Sequence, residues 1–535
     1  MAPKVARQNK KMVTNMAKAA ADQLFDSSAN TAADLTLEDR ETDELVLGFV
    51  GPIGSGVSKT CEEVANQLER DYGYESVSII KVSDLIKQSA HLVGVDPETD
   101  GNEAKRVQDL QKVGTELRKK FGENYLAEKC IEWIAIHRQQ HGGYSEVEGG
   151  QKIAEPKRYA YLIDSLKHPG EIKMLEAVYG GVFWLFGVFA PKSTREARLV
   201  GKAATATEIT AIFKVDEDEE GAAHGQKVRD TIQLSDFFIR NDRDNTDRLK
   251  TTITRYLKLL FGTEIITPTQ DETGMYNAAA AAAGSACLSR QVGAAIYSEN
   301  NELIGKGRND VPKANGGLYS YEDGDEDHRC HKWKEKRCHN DFHKERLYMS
   351  ITLELKKAGL IVKDADYDGI RQAIRRTDVK NLIEFSRAVH AEMDAIISVS
   401  RGNKPGILGG TMYCTTFPCH SCARHIVASG IVRVVYIEPY PKSLAETLHS
   451  DAVTSDDSKD DLVSFVQYQG VAPKNILRLF EYRNSRKKDG EAIVRPSITA
   501  SPASRSPLDG FQAREQIVVE KLKTLENSHT AASGE

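Results

Sequence analysis

The stretch that decides the reading is His390-Ala-Glu392 followed, beyond an intervening strand pattern, by Pro418-Cys419-His-Ser-Cys422. Two thiols three positions apart at the start of a helix share one face, and the helix dipole there favours their ionised form. Pro418 suits the first turn of such a helix. With His390 the pair offers one imidazole and two thiolates, a donor set that holds zinc at three corners and leaves the fourth for water. Glu392 lies two residues from His390 and is read not as a ligand but as the carboxylate that moves protons. The competing reading is a purely structural site with four protein ligands, and the preceding His-x-Glu counts against it.

The spacing matches the H-x-E and P-C-x-x-C signature of nucleobase deaminases, in which cytosine C4 is the electrophile and ammonia a product. Around it, Ser386-Arg-Ala-Val-His-Ala-Glu392, Thr415-Thr-Phe-Pro-Cys-His-Ser-Cys-Ala423 and Gly430-Ile-Val-Arg-Val-Val-Tyr-Ile-Glu-Pro-Tyr-Pro-Lys-Ser443 resemble the deoxycytidylate deaminase branch of the cytidine deaminase superfamily. Upstream, Ser289-Arg-Gln-Val-Gly-Ala294 and Gly305-Lys-Gly-Arg-Asn-Asp-Val-Pro312 also fit, so the resemblance spans most of residues 275–445. It implies a hydrolase that converts free dCTP and/or dCMP to dUTP or dUMP, with Glu392 catalytic, His390, Cys419 and Cys422 holding Zn2+, and Asn309 against the nucleoside. A plain turn role is the alternative for Asn309. Arg308, Lys313, Arg387 and Lys442 flank these motifs as candidate phosphate cations or as solvated surface groups.

A second cluster, His328-Arg-Cys330-His331 with Cys338-His339 and His343, falls between the two motif groups. A second, structural Zn2+ is one reading, favouring Cys330, Cys338 and His343 with the fourth ligand open. The other is a polar insertion over 322–346 carrying a solvated acidic run.

The N-terminal half has its own pattern. Glu44-Leu-Val-Leu-Gly-Phe-Val50 is an apolar strand that runs into Gly51-Pro-Ile-Gly-Ser-Gly56-Val-Ser58-Lys59-Thr60 and then a helix over Cys61–Arg70. Backbone N–H groups in this setting cradle phosphate. A standard G-x-x-x-x-G-K-[ST] loop would place lysine at Val57; Lys59 is two residues late, a rotation of roughly 200° around the helix axis. Ser58 does occupy the magnesium-ligand position, and Tyr161-Leu-Ile-Asp164 ends an apolar strand in aspartate as a Walker B element does. Strands at Ser76–Val82, Tyr159–Ile163 and Val182–Phe189 complete an alternating α/β pattern. The order of elements resembles nucleoside monophosphate and dephospho-coenzyme A kinases. The reading is a regulatory nucleoside triphosphate with Mg2+ at Gly51, Gly54, Gly56, Ser58 and Asp164 rather than phosphoryl transfer, since the missing lysine normally stabilises the transferred group.

The fold class is therefore α/β, a P-loop kinase-like parallel-sheet domain followed by a cytidine-deaminase-like α/β/α domain. Boundaries fall at a mobile leader over 1–41, the first domain over 42–262, the second over 263–482 and a largely disordered tail over 483–535 with a short docking helix at Phe511–Leu525. In the second domain the helix is expected over Tyr276–Ser289 and strands at Gln291–Tyr297, Thr411–Thr415 and Val432–Ile437. The fused arrangement, with Gln469-Gly-Val-Ala-Pro473, resembles the longer bacterial anti-phage dCTP/dCMP deaminases; it implies depletion of deoxycytidine nucleotides in defence, a homo-oligomer, and an inhibitory small RNA as partner.

Composition limits the alternatives. The chain has 535 residues, 40% of them hydrophobic, and a formal net charge of -6, which gives no global attraction for a polyanion and counts against an RNA- or DNA-editing deaminase. A nucleotide or RNA sensor with a secondary deaminase site is the other competing class. Eight cysteines are too few for a disulfide scaffold, and in the reducing, cytoplasmic setting expected for this chain the four that cluster with histidines suggest metal. The densest apolar run, Val182–Ala190, is far short of the roughly 20 residues of a membrane helix, and residues 1–20 lack the apolar centre of a secretory signal.

Overall fold

The computed structural model describes residues 40–532 apart from 96, 98–102, 147–151, 201–204, 218–224, 243–245, 363, 403–405, 441, 457–458, 460 and 482–484. The leader expected over 1–41 lies outside the described residues except for Arg40 and Glu41.

The apolar run before the glycines is β1 (Leu45–Val50), with every residue buried. Such a run without polar alternation needs cover on both faces. Leu45, Leu47 and Phe49 pack with α1 (Val57–Tyr72), whereas Val46 and Val50 face the opposite cluster, which includes Leu126 and Cys130 of α2 (Tyr125–Gln140). Parallel to β1 run β2 (Ser76–Lys81), β3 (Tyr159–Leu166), β4 (Phe183–Phe189) and β5 (Phe237–Arg240), in the order β5-β4-β1-β3-β2. The chain steps out on one side of β1 and then on the other, which opens a crevice at the carboxyl ends of the strands. A small satellite cluster next to it contains Ile209, Ile212 and Phe213 of α3 (Ala206–Glu217).

The second sheet is mixed. Its strands are β6 (Gly293–Tyr297), β7 (Leu303–Arg308), β8 (Thr411–Thr416), β9 (Arg433–Glu438), β10 (Val453–Thr454) and β11 (Val463–Gln467), in the order β7-β6-β8-β9-β11-β10. β6 pairs antiparallel with both neighbours and the remaining pairs are parallel. Ala295, Tyr297 and Tyr413 meet Met275 and Ala278 of α4 (Gln270–Ala283) on one face. Ala294, Ile296 and Met412 meet α6 (Ala391–Arg401) and α7 (His420–Ala428) on the other. Between β7 and α6 the chain forms α5 (His339–Lys357). Helices thus cover both faces, as expected. Helix α4 starts earlier than its alanines suggest because Thr269 caps it: the Thr269 hydroxyl accepts the Glu272 N–H at 3.2 Å and the Glu272 carboxylate accepts the Thr269 N–H at 2.7 Å.

The two sheets are tied together by the chain that follows. β12 (Gly470–Val471) pairs antiparallel with β5 of the first sheet, and the Val471 N–H donates to Glu272 at 2.9 Å. In residues 483–535, expected as a largely disordered tail with a short docking helix at Phe511–Leu525, the chain forms the longer α8 (Leu508–Ala532). Leu508, Phe511, Val518 and Leu522 recur at helical spacing and are buried. Glu515 in the same stripe joins Glu44 in clasping the fully buried Arg138, whose charge tolerates burial only because it is paired.

Candidate active site

His390 is the N-cap of α6 and Cys419 the N-cap of α7, so two helix N-termini aim at one point. Close approach of α6 to the sheet depends on Gly307: a Cβ there would lie 2.2 Å from the Ala391 carbonyl and the Ala395 nitrogen. His390 Nδ1 stands 3.4 Å from Cys419 Sγ and 3.3 Å from Cys422 Sγ. A tetrahedral zinc, with sulfur near 2.3 Å and nitrogen near 2.0 Å, spaces such atoms about 3.6 Å apart. The donor set and its spacing therefore fit the ion, and among the described residues this is the only group offering three ligand atoms within 4.8 Å of one another.

The sulfurs share a proton unequally. A hydrogen bond from Cys422, then one from His390, holds the Cys419 thiol down at about 4, while the same bond to Cys419 together with burial pushes Cys422 up. Glu392 is 5% exposed, and burial raises its carboxyl above the usual range.

These groups open into a cavity of about 330 Å3 lined by His390, Glu392, Cys419, Asn309, Phe417 and Tyr440, of the size that small-molecule sites have. Asn309 is there, but its amide is committed to the backbone: Oδ1 accepts the Val292 N–H and Nδ2 donates to the Arg290 carbonyl, each at 2.7 Å. It fastens the end of β7 to residues 290–292 while forming part of the wall. Of the flanking cations, Arg308 donates to the Tyr319 carbonyl, Arg387 to the His328 carbonyl, and Lys313 pairs with Asp323. Lys442 does line the cavity, as does Arg290, which pairs with Glu438 at 2.8 Å. Arg290 had no role in the sequence reading although it sits inside a quoted motif.

Cys330, Cys338 and His343 do not converge as ligands. Cys338 Sγ faces Ser289 Oγ at 3.5 Å, and the His343 ring packs against Phe342 and Phe385, with centroids 5.2 and 5.7 Å away. Cys330 and Cys338 line a cavity of about 30 Å3 together with Cys287 and His339 rather than with His343.

In the glycine loop, Gly54 and Gly56 adopt φ of +80° and +86°, a region other residues rarely enter, and a Cβ on Gly51 would lie 2.2 Å from the Val188 carbonyl. Ser58 Oγ donates to Asp164 Oδ2 at 2.7 Å, so these two side chains meet. Lys59 is exposed on α1, as its angular offset requires.

Comparison with known proteins places these sites in context. Residues 268–438 match the family model described as the cytidine and deoxycytidylate deaminase zinc-binding region. The chain is 47% identical over 55 residues to a deoxycytidylate deaminase of Enterobacteria phage T2, covering 10% of this chain and 29% of that protein. It is 25% identical over 198 residues, 37% of this chain and 82% of the other, to a UPF0200 protein of Methanothermobacter thermautotrophicus. Among solved structures, a dCMP deaminase of cyanophage S-TIM5 in complex with dCMP and dUMP is 16% identical, with 38% of this chain and 99% of that one covered at a TM-score of 0.22. This chain thus spans less than a third of the length of the phage T2 relative.

Proposed function

Since residues 268–438 carry the zinc-binding region of cytidine and deoxycytidylate deaminases, we propose that this protein is a zinc-dependent hydrolase that removes the 4-amino group of a free deoxycytidine nucleotide. The observation that carries the reading is the convergence of His390, Cys419 and Cys422 with the buried Glu392 on one cavity. A zinc ion held by those three supplies Lewis-acid chemistry that makes water a stronger acid.

The chain's own residues do the rest. Glu392 takes a proton from the attacking water and delivers it to ring N3; it then carries the second proton to the departing amino group, which leaves as ammonia. Phe417 and Tyr440 line the cavity and offer aromatic surface for a base. Arg290 and Lys442 at the same wall supply cations for a phosphate. Asn309 orients the wall that meets the nucleoside through its two backbone hydrogen bonds.

The motif resemblance extends the proposal to dCTP as well as dCMP, to depletion of deoxycytidine nucleotides during phage infection by a cytoplasmic homo-oligomer under an inhibitory small RNA, and to a regulatory nucleoside triphosphate with Mg2+ at the glycine loop. Incubation of the purified chain with dCMP, dCTP, cytidine and a cytosine oligonucleotide, with uracil product and ammonia measured, tests the core reading. Product from the free deoxynucleotides supports it; product from the oligonucleotide alone overturns it. Nucleotide pools after induction in cells, read for dCTP loss with dUMP gain, test the wider one.

A further inference from the structure

The glycine loop lacks its lysine in sequence, yet a lysine stands at it in space. Lys167, three residues past Asp164, reaches back from the end of β3 so that Nζ donates to the Gly51 carbonyl at 2.9 Å. The same Nζ donates to Asp216 Oδ1 at 2.7 Å, and Asp216 Oδ2 accepts the Ile53 N–H at 2.6 Å. The Asp216 side chain is only 2% exposed. A carboxylate that takes one loop N–H and one lysine ammonium makes the contacts a phosphate oxygen makes in a glycine-rich loop at a helix N-terminus.

We propose that this loop is a phosphate site whose cation is Lys167 and whose place is held by the Asp216 carboxylate, so that a nucleoside polyphosphate binds by displacing Asp216. The inference rests on the reading of the loop as nucleotide-binding and assigns it residues far away in sequence. Two independent observations point to a ligand. Ser55 is fully buried, and its Oγ has no hydrogen-bond partner and lies 2.7 Å from where a Gly51 Cβ would be, so it faces the inside of the loop. Beside the loop lies a cavity of about 420 Å3 whose walls include Pro52, Arg195, Arg229 and Arg240, with Phe417 and Tyr440 of the zinc cavity on its far side. Cations with aromatic rings suit a polyphosphate joined to a base.

Displacement is within reach because Asp216 belongs to α3, whose apolar residues sit in the small satellite cluster rather than in the two main cores flanking β1. Local opening draws on such weakly anchored elements. Asp216 thus acts as a competitor built into the chain, and any anion that binds must outdo it.

The test is a binding titration of the full-length zinc-loaded protein with MgATP and, separately, with inorganic triphosphate. Asp216→Asn removes the competing charge and is expected to tighten both by at least about tenfold, while Lys167→Met weakens both by about tenfold or more. Lys167→Arg restores a cation and should recover part of the loss, which separates loss of charge from misfolding; melting curves of each variant check the fold. Unchanged affinity in either Asp216→Asn or Lys167→Met, or no binding by Asp216→Asn at millimolar ligand, overturns the proposal. The readout is independent of deamination: a Glu392→Gln background should show the same binding differences, so failure of the deaminase reading and failure of this one are distinguishable.

Discussion

The zinc cavity and the glycine loop are built on the same local device and used in opposite ways. Each places a strand before a helix N-terminus, where unpaired N–H groups and the helix dipole favour negative charge. At α6 and α7 the helix starts hold His390 and Cys419, whose donor atoms face a cavity of about 330 Å3. At α1 the loop groups are already engaged by the chain itself, Ile53 with Asp216 and Ser58 with Asp164. The difference lies in the partners: at α6 and α7 the helix-start donors meet one another beside an open cavity, whereas at α1 carboxylates from distant segments occupy the loop groups.

The largest expected effect tests the ligand side of that contrast. Cys422→Ala, or chelation of the metal, should remove zinc from the purified protein and abolish deamination, because the site then keeps only two strong donors; metal content by atomic absorption checks it. Next, Glu392→Gln should keep zinc but lower kcat by roughly 10²–10⁴-fold. Retained turnover in that variant would break the assignment of the proton carrier.

Asn309→Ala is a smaller change with a structural component. It strips two backbone hydrogen bonds and should lower stability by about 1–3 kcal/mol while raising KM for the nucleotide; unfolding midpoints and KM measured together separate the two. On the loop side, Ser58→Ala removes the bond to Asp164, which keeps Ser165 Oγ as a donor at 2.8 Å, so a loss of about 1 kcal/mol in the melting curve is expected. Lys59→Ala should leave nucleotide binding unchanged, because that side chain is exposed and offset by roughly 200° around the helix from the standard lysine position; complete loss of binding would break the comparison.

Much of the fold was legible because its signals are local. The buried strands β1, β3 and β4 are continuous apolar runs, and each stands within a few residues of where its sequence places it. Local capping moved the start of α4, a signal present in Thr269 and Glu272 but hidden by the alanines that follow. The docking helix read at Phe511–Leu525 is also there, longer at both ends as α8. What no window reveals is the return of Gly470–Val471 to the first sheet or the burial of Arg138 between Glu44 and Glu515, the latter 377 residues away.

By itself, then, the sequence pointed to the three donors that converge in the structure and to Glu392 as the proposed proton carrier, because ligand type, spacing and helix start are properties of short segments. Tertiary structure alone decided which cations reach the cavity, that Asn309 spends its amide on the backbone, that Cys330, Cys338 and His343 do not meet, and that Lys167 and Asp216 stand at the glycine loop from 116 and 163 residues away. Those outcomes depend on how separate elements pack, and packing brings together side chains that no local pattern links.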